Sequence, residues 1–567
     1  MTKKLLISIS FILIISKILA CAVGYILYNK IDNYSINLLL YTWNNIDNLG
    51  MFTQILIYAI FIIYVLIIYK LVIFIFNTNT KQTLIDNLHG SARFLQFKEL
   101  QQTNLLDDKG IFVGGIEDTK GKMHYLRSNG SEHCLILAPT RAGKGVCLVI
   151  PTLLSWEHSC IIYDIKRELY HLTSKWRGDD NGGKNNIYRF DPAEKDSHCF
   201  NPMQEIRLKT EYQIADAQNI AYMLVDVVGE GIIGKHWLQT AFTLFTACIL
   251  YVAHKNFDEN NTQGSIPDIL ELLCDKDGIR NTIQTLADFS CIDEEAQKTI
   301  NLIGYQMQGK DEKELSGIVS TTVTQLSLYF DPLVTRAVSK SDFSIDDICN
   351  KQKPATLYLV TDPSNKDRYQ PLIRLIINMI LRKLTAKMNF VNGKGQSPNK
   401  HRLLLLLDEF PSLGNIAILE DSLAFMAGYG IKAMLIAQDL NQIYSKYTKN
   451  ESIIANCHII SAFTPNNPDT ANWLCRKLGD TTIIKDNISI SGKRQDIMLS
   501  NTSTSQSEIR RNLMTPEEIM TMPSLQFDNQ ANLIDTGNML IMINGKKPIF
   551  GKQMPFFIDE IFNKKIS

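Results

Sequence analysis

A short run that combines glycine and lysine is the first candidate for chemistry in this sequence. Residues 138–145 read APTRAGKG, with apolar runs directly before and after them, a pattern typical of strand, tight loop and helix. Backbone N–H groups in such a loop wrap phosphate groups, and the lysine reaches the terminal phosphates. We therefore predict a phosphate-binding loop whose nucleotide contacts are Thr140, Arg141, Ala142, Gly143, Lys144, Gly145 and Val146.

The match of this run to the pattern GxxxxGK[ST] is incomplete. Ala138 stands where the first glycine is expected, and Gly145 replaces the hydroxyl residue that usually binds magnesium. An ordinary glycine turn with a solvated Lys144 is therefore the alternative interpretation of the run taken alone.

Two adjacent acids form the second candidate. Residues 403–407 are five consecutive leucines, and Asp408 and Glu409 follow them directly. Such a run is typical of a central parallel strand buried on both faces, and ligands bind at the carboxyl edge of these sheets. We predict that Asp408 holds hydrated Mg²⁺ and that Glu409 polarises the attacking water. A strand that runs into an acidic turn is the alternative, but the loop and the acids together favour ATP hydrolysis.

Three further positions follow predicted strands. Gln438 ends the run KAMLIAQ, and we predict that its amide senses the γ-phosphate and orients water, with a helix cap as the alternative. Asp164, Lys166 and Glu168 follow the run SCIIYD. These three residues fit contact with nucleotide or a neighbouring subunit, and they fit equally well the charged first turn of a helix.

The surrounding pattern predicts the elements that position these residues. Strands and helices alternate from residue 132, which favours an α/β fold with a parallel sheet and helices on both faces. Residues 209–344 show only helical spacing of apolar residues, so we predict an all-α insertion before strands resume. Residues 392–401 are predicted to form a flexible surface loop, and residues 480–511 a long exposed hairpin or mobile loop.

The amino-acid composition excludes several classes of protein. The 567 residues are 45% hydrophobic and 20% charged, which excludes general disorder. Lysine plus arginine and aspartate plus glutamate both count 58, which excludes a globally basic coat for nucleic acid. The 11 cysteines contain no CxxC pair, which argues against a disulfide framework or a thiolate zinc site and favours reduced thiols in the cytosol.

The N-terminus carries two long apolar runs, residues 5–28 and 51–76. Each exceeds the roughly 20 residues needed to cross a bilayer. We predict a transmembrane hairpin in preference to a cleaved signal peptide followed by one span, because the first run is longer than a signal core. Lysines flank the hairpin and are sparse between the runs, so both termini are expected in the cytoplasm, with residues 29–50 outside.

Taken together, the motifs resemble those of type IV secretion system coupling proteins, the TraG/VirD family within the FtsK–HerA group of RecA-like motors. The resemblance extends from the hairpin almost to the C-terminus. It also accounts for Gly145, since GKGV is common in this family. The motifs are residues 89–93 (HGSAR), 138–146 (APTRAGKGV), 163–168 (YDIKRE), 190–192 (FDP), 200–202 (FNP), 407–414 (LDEFPSLG), 427–431 (AGYGI), 437–438 (AQ) and 513–517 (LMTPE).

The resemblance implies a homo-hexameric ATPase, using ATP and Mg²⁺, that is multi-pass in the inner membrane with most of the chain cytoplasmic. It would gather protein effectors, single-stranded DNA with bound relaxase, or both, and pass them to the type IV secretion channel. Because the clusters of basic residues are small, we favour protein effectors, or both cargoes, over DNA alone. The implied domains are a hairpin with a short periplasmic loop (1–80), the first part of a RecA-like domain (81–208), an all-α domain that receives substrate (209–344) and the second RecA-like part (345–567).

Two departures from the family pattern bear on function. Arg167 stands where the family usually has glycine, and no arginine lies between Glu409 and Gln438, where some relatives place a trans-acting arginine. Lys432 is the only cation in that interval. Gly145 and the missing arginine favour the alternative function, a membrane docking receptor or scaffold with a degenerate nucleotide site.

Overall fold

A computed structural model describes residues 16, 17, 19, 46–48, 50–76, 88–179, 182–491, 501–530 and 532–566. The chain divides into two compact units, residues 1–86 and 87–567. The predicted first membrane span, residues 5–28, lies outside the described residues except at positions 16, 17 and 19.

The first unit contains helix α1 (Met51–Phe76). Its stretch Met51–Lys70 is 20 residues long with a mean hydropathy of 2.5, and most of its described side chains are exposed. This helix matches the second predicted span in position and length. Ser16 Oγ lies 2.5 Å from Tyr64 Oη, so a residue of the first apolar run contacts this helix.

The second unit is organised by an 11-stranded sheet in the order β2-β1-β17-β16-β11-β3-β10-β9-β4-β6-β5. Among the described residues, three further strand pairs lie outside this sheet. The strands are β1 (Ile111–Glu117), β2 (Met123–Ser128), β3 (Cys134–Leu137), β4 (Ser159–Asp164), β5 (Asn186–Phe190), β6 (Ala355–Val360), β7 (Asn389–Val391), β8 (Lys394–Gln396), β9 (Leu403–Leu407), β10 (Ile431–Ala437), β11 (Ile459–Ala462), β12 (Asp480–Ser491), β13 (Asn501–Asn512), β14 (Gln526–Phe527), β15 (Leu533–Asp535), β16 (Asn538–Ile543) and β17 (Ile549–Lys552).

The seven strands from β11 to β5 are parallel, as predicted. The other four pair antiparallel, with β16 joining the block against β11. This antiparallel edge was not predicted. It places the start of β16 and the end of β17 at the same edge as the carboxyl ends of the parallel strands.

Strand β9 explains the stability of the centre of the sheet. Leu403, Leu405 and Leu407 pack into one apolar core, whereas Leu404 and Leu406 pack into a second core. None of these side chains is more than 1% exposed. The strand is therefore buried on both faces, which holds the acids that follow it in a fixed place.

Helices cover both faces, and the region between β5 and β6 contains no strand among its described residues. The helix His236–Asn260 is long and apolar enough to cross a membrane. However, 67% of its most apolar stretch is buried inside the protein, as in a core helix. The helices are α2 (Ile150–Ser155), α3 (Glu168–Gly178), α4 (Gln213–Val225), α5 (His236–Asn260), α6 (Ile266–Leu273), α7 (Ile279–Ala287), α8 (Glu294–Gln308), α9 (Glu312–Gln325), α10 (Pro332–Val338), α11 (Ile345–Cys349), α12 (Lys366–Leu384), α13 (Ala417–Leu423), α14 (Leu440–Tyr447), α15 (Ile453–Asn456), α16 (Pro468–Leu478), α17 (Pro516–Met520) and α18 (Glu560–Ile566).

Two loop predictions are refined. The segment predicted as a flexible loop at 392–401 contributes β8 to a short antiparallel ribbon with β7. The segment 480–511 forms a long ribbon in which β12 and β13 pair over 12 residues each. Residues 492–500, which join these strands, lie outside the described residues.

Candidate functional site

The predicted phosphate loop connects β3 to a helix that begins at Gly145. A single π-helical turn, Gly145–Val149, continues directly into α2. Arg141 and Gly143 have φ values of 63° and 91°, so the backbone turns sharply twice before the helix. Every described residue of the predicted nucleotide set, 140–146, lies in this one turn at the carboxyl edge of the sheet.

Gly145, which occupies the position of the usual hydroxyl residue, faces open space. A Cβ atom there would have no neighbour within 4 Å. The side of the helix N-terminus is therefore unobstructed, and its backbone N–H groups are accessible to an anion. The geometry fits a phosphate group better than a closed structural turn.

Lys144 and Asp408, 264 residues apart in sequence, meet across the site. Lys144 Nζ donates to Asp408 Oδ1 at 2.6 Å, and the two side chains are 17% and 23% exposed. This ion pair is partly open to solvent, so a phosphate group can approach either partner. The structure thus brings together the two halves of the site that the sequence placed on separate segments.

Glu409 and Gln438 form the second contact. Gln438 Nε2 donates to Glu409 Oε1 at 2.8 Å. The sheet order explains this contact, because β10, which Gln438 follows, lies between β3 and β9. Glu409 has φ 58° and ψ 49°, a left-handed conformation that costs a non-glycine residue roughly 1–2 kcal/mol. Such strain is concentrated at functional sites, where it fixes the direction of a side chain.

Asp164 supports the helix next to the site. It is 2% exposed, and its carboxylate accepts hydrogen bonds from the backbone N–H groups of Lys166 and Tyr170. Burial raises the pKa of Asp164 to about 6, with the nearby charge of Asp408 acting in the same direction. Glu168 is the first residue of α3. Of the two interpretations of these charges, the geometry fits the first turn of a helix.

Arg167 takes up the conformation that glycine adopts most easily. Its φ is 62°. The guanidinium contacts Glu194 at 2.6 Å and Asp191 at 3.2 Å. The departure from the family pattern at this position is therefore a strained residue held by two ion pairs.

Lys432 lies at the opposite edge of the sheet. Its ammonium donates to Ser128 O, Ser128 Oγ and Gly130 O at 2.8–3.0 Å, and the side chain is 1% exposed. Burial lowers the pKa of Lys432 to about 8. Because it is enclosed near the start of β10, it does not reach the carboxyl edge of this chain.

Asp408 and Glu409 are suited to binding Mg²⁺ only together with phosphate oxygens. Among the described residues, no group of three or more His, Cys, Asp or Glu side chains is placed to hold a metal. Magnesium in nucleotide sites uses one or two carboxylates, with water and phosphate oxygens completing the shell. Asp408, one carboxylate beside the phosphate loop, satisfies that requirement.

Two residues beside the loop were not predicted. Leu525 and Gln553 come from the C-terminal segments and border Gly143. No spacing or motif in the sequence points to them, because they reach the loop through the antiparallel edge.

The sheet order, the loop after β3 and the acids after β9 define a phosphate-loop α/β protein with one strand between the loop strand and the acidic strand. The family model described as type IV secretory system conjugative DNA transfer matches residues 93–567. The chain belongs to this family.

Curated relatives agree with this assignment. A conjugal transfer protein TraG of Escherichia coli is 41% identical over 501 residues, which cover 85% of this chain and 78% of the relative. Protein VirD4 of Agrobacterium fabrum is 29% identical over 489 residues, which cover 84% of this chain and 67% of the relative.

Solved structures share the fold. The bacterial conjugative coupling protein TrwB, without its first 70 residues, superposes with a TM-score of 0.55 at 17% identity and covers 82% of this chain and 94% of its own. TrwB in complex with ADP and Mg²⁺ superposes with a TM-score of 0.52 at 16% identity, over 82% and 94% of the two chains. The predicted fold class, a mostly parallel α/β sheet with helices, is confirmed.

Proposed function

We propose that the chain is a membrane-anchored ATPase that recruits substrates on the cytoplasmic face and delivers them to a type IV secretion channel. The observation that carries the proposal is the 2.6 Å contact between Lys144 and Asp408, with Glu409 and Gln438 paired beside it. The apolar helix α1 and the family assignment support the anchor and the channel.

In this proposal, each of these residues has a role in hydrolysis of the terminal phosphate. Lys144 exchanges its contact with Asp408 for phosphate oxygens, and the backbone N–H groups of residues 140–146 bind the remaining phosphates. Asp408 would then hold Mg²⁺ through its hydration shell, and the bound ion would neutralise developing charge. The TrwB complex with ADP and Mg²⁺ supports this ligand set.

Glu409 acts on the attacking water. Its left-handed backbone directs the carboxylate toward Gln438, and the amide holds one carboxylate oxygen while the other stays available to accept a proton. Because Gln438 is hydrogen-bonded to Glu409, a movement of Glu409 also moves Gln438 and the residues that follow it. Loss of the terminal phosphate therefore changes contacts on both β9 and β10.

The family description supports a proposal for the cargo. Its description as conjugative DNA transfer supports single-stranded DNA with bound relaxase as a substrate, and protein effectors are the second class that we propose. We further propose a homo-hexamer in the inner membrane, with residues 81–208 and 345–567 forming the ring and residues 209–344 receiving substrate.

The test compares hydrolysis by the full chain in detergent with and without single-stranded DNA. Glu409→Gln is expected to lower kcat by about 10²–10⁴-fold, because it removes the water-activating base. Glu259→Gln, an exposed acid at the end of α5, is the matched control. DNA stimulation of wild type favours the nucleic-acid cargo, and a flat response favours protein cargo.

The competing scaffold function predicts a different result. A docking receptor with a degenerate site would support substrate transfer in cells equally well with wild type and Glu409→Gln. Equal transfer and equal hydrolysis by the two proteins would refute the proposal.

A further inference from the structure

The loop that joins α4 to α5 presents apolar side chains to solvent. This 226–235 loop reads DVVGEGIIGK. Ile233 is 90% exposed, and both Val228, in the same loop, and Trp237, in the first turn of α5, are also exposed. Exposed apolar side chains grouped in this way are typical of a surface that contacts another molecule.

The base of the 226–235 loop is held by one carboxylate. Asp226 is buried, and its side chain accepts hydrogen bonds from the backbone N–H groups of residues 229–231 at 3.0–3.1 Å. Ile232 is also buried, and its carbonyl oxygen accepts from the backbone N–H of Lys235 at 3.1 Å. Ile233 therefore projects from a hydrogen-bonded turn.

A buried arginine joins the base of this loop to the segment that follows Glu409. Arg374, on α12, is 2% exposed. Its guanidinium donates to Val227 O at 2.5 Å and to Asn415 O at 2.8 Å. The backbone of the loop and the backbone of residues 409–415 are thus bonded to the same side chain.

These two backbones also pack directly against each other. A Cβ atom at Gly229 would lie 2.3 Å from Asn415 O and 2.5 Å from Arg374 Nη2. The segment 409–415 begins at the candidate nucleotide site, and its first turn is closed by the backbone N–H of Ser412, which donates to Glu409 O at 2.8 Å. A movement of this segment would therefore displace the base of the 226–235 loop.

The charges of the loop favour a polypeptide over a nucleic acid as the contacting molecule. Lys235 is its only lysine or arginine, and the ammonium lies 3.1 Å from the carboxylate of Glu230. Because Asp226 is a second acid, the loop has a net negative charge. Single-stranded nucleic acid needs basic side chains along its phosphates. An extended polypeptide instead offers apolar side chains that can bury Ile233.

We propose that the 226–235 loop contacts an extended polypeptide segment of the cargo, and that Arg374 couples this contact to the nucleotide site. The inference rests on the proposed function and names the class of cargo that one loop contacts. A change at Glu409 reaches the loop through Asn415 and Arg374. The nucleotide state therefore changes the affinity for polypeptide, and bound polypeptide changes the affinity for nucleotide by the same factor.

Binding of fluorescently labelled β-casein, an unfolded polypeptide, to the full chain in detergent provides the first test. Ile233→Ser is expected to weaken casein binding about tenfold, because an apolar contact is removed without a change of charge. Ile292→Ser, at an isoleucine that is 79% exposed between α7 and α8, is the matched control and is expected to bind as wild type does. Equal affinities of the two variants, measured by anisotropy, would overturn the proposal.

The same variants separate two other occupants of the loop. If Ile233→Ser weakens binding of labelled oligothymidylate but not of casein, the loop contacts nucleic acid. If Ile233→Ser changes the sedimentation coefficient of the full chain but not casein binding, the loop lies between copies of this chain. Either result would overturn the assignment to polypeptide.

The coupling is tested by the affinity for casein with ADP and with a non-hydrolysable ATP analogue. In wild type, we expect the two dissociation constants to differ about fivefold or more. Gly229→Ala is expected to abolish the difference, because the added Cβ forces the loop away from Asn415. Gly234→Ala is expected to keep it. The φ values are 85° and 78°, so both variants strain the backbone, but a Cβ atom at Gly234 has no neighbour within 4 Å.

The same nucleotide dependence in Gly229→Ala and Gly234→Ala would contradict the coupling, as would equal affinities in wild type. Should Gly229→Ala fail to fold, Arg374→Lys provides the measurement. A lysine keeps the charge but lacks the fork that binds two carbonyl groups at once, so the nucleotide dependence is again expected to disappear.

Failure of the proposed function is distinguishable from failure of this inference. If Glu409→Gln hydrolyses ATP as fast as wild type, the proposed hydrolytic site itself is wrong. If hydrolysis requires Glu409 but casein binding depends neither on Ile233 nor on the nucleotide, only the role of the 226–235 loop is wrong.

Discussion

Two lysines at opposite edges of the sheet have surroundings of different kinds. At the carboxyl edge, Lys144 faces the carboxylate of Asp408 and is 17% exposed. At the amino edge, Lys432 is 1% exposed and donates its hydrogen bonds to uncharged oxygens of Ser128 and Gly130. A cation that is paired with a partly exposed acid can exchange its partner for a phosphate. A cation enclosed by carbonyl groups instead holds together the elements that surround it.

Replacing each lysine separately provides the strongest test of this comparison. Lys144→Met is expected to lower kcat/KM for ATP by about 10²–10³-fold, because a donor to the reacting phosphates is lost. Its free energy of unfolding is expected to change by less than about 1 kcal/mol, since the pair is partly exposed.

Lys432→Met is expected to behave in the opposite way. It leaves buried acceptors unpaired and destabilises the fold by about 1–3 kcal/mol, with kcat unchanged. Hydrolysis assays and urea titrations in detergent measure both quantities. A loss of activity without a loss of stability in Lys432→Met would contradict the comparison.

The same two edges contain buried groups whose pKa values shift in opposite directions. His133, at the amino edge, donates from one ring nitrogen to Leu423 O and accepts from the backbone N–H of Ala433 with the other. Burial lowers the pKa of His133 from 6.5 to about 4, whereas burial raises that of Asp164 from 3.8 to about 6.

The stability profile between pH 4 and 6.5 tests these shifts. His133 remains neutral in the fold, so its contribution is lost as pH falls from 6.5 to 4. Asp164 remains protonated in the fold, so its contribution is lost as pH rises from 3.8 to 6. Each effect corresponds to about 3 kcal/mol at its full extent, and the two oppose each other in wild type.

Variants separate the contributions of His133 and Asp164 to the pH dependence of stability. Asp164→Asn is expected to steepen the rise of stability with pH, because only the histidine effect remains. His133→Gln is expected to make stability fall as pH rises over the same range. Parallel profiles for the two variants, measured by urea titration at fixed salt, would refute the assignment.

The smallest expected effect concerns the strained Arg167. Arg167→Gly and Arg167→Ala both remove the ion pairs to Asp191 and Glu194, but only glycine relieves the left-handed backbone. The glycine variant is therefore expected to be more stable than the alanine variant by about 1 kcal/mol. At Lys298, in the middle of α8, the order reverses, because alanine favours a helix over glycine by a similar amount. If alanine is more stable than glycine at both positions, the backbone at Arg167 is not strained.

Local patterns predicted much of the fold. The five leucines of β9 identified a strand buried on both faces, and the helices between β5 and β6 lie where apolar spacing placed them, although the proposed domain limits remain a prediction. The loop at 138–146 was identified because strand, turn and helix follow one another within a few residues. Such signals are local and need no knowledge of the tertiary structure.

Long-range pairing could not be predicted. Strands β16 and β17 are short apolar runs whose sequences do not indicate whether they join the sheet parallel or antiparallel. For the same reason, neither Gln553 beside Gly143 nor Ser128 beside Lys432 could be placed from sequence. In each case, the two residues in contact are more than 300 positions apart in the sequence.

The position of Gln438 has a consequence for motion. The next residue, Asp439, caps α14 through Gln442 N, and Gln442 Oε1 in turn accepts from the backbone N–H of Gln438. The residue that contacts Glu409 is thus joined to the first turn of a helix by reciprocal hydrogen bonds. If the proposed mechanism holds, a shift of Glu409 would move Gln438 and, through these bonds, the first turn of α14.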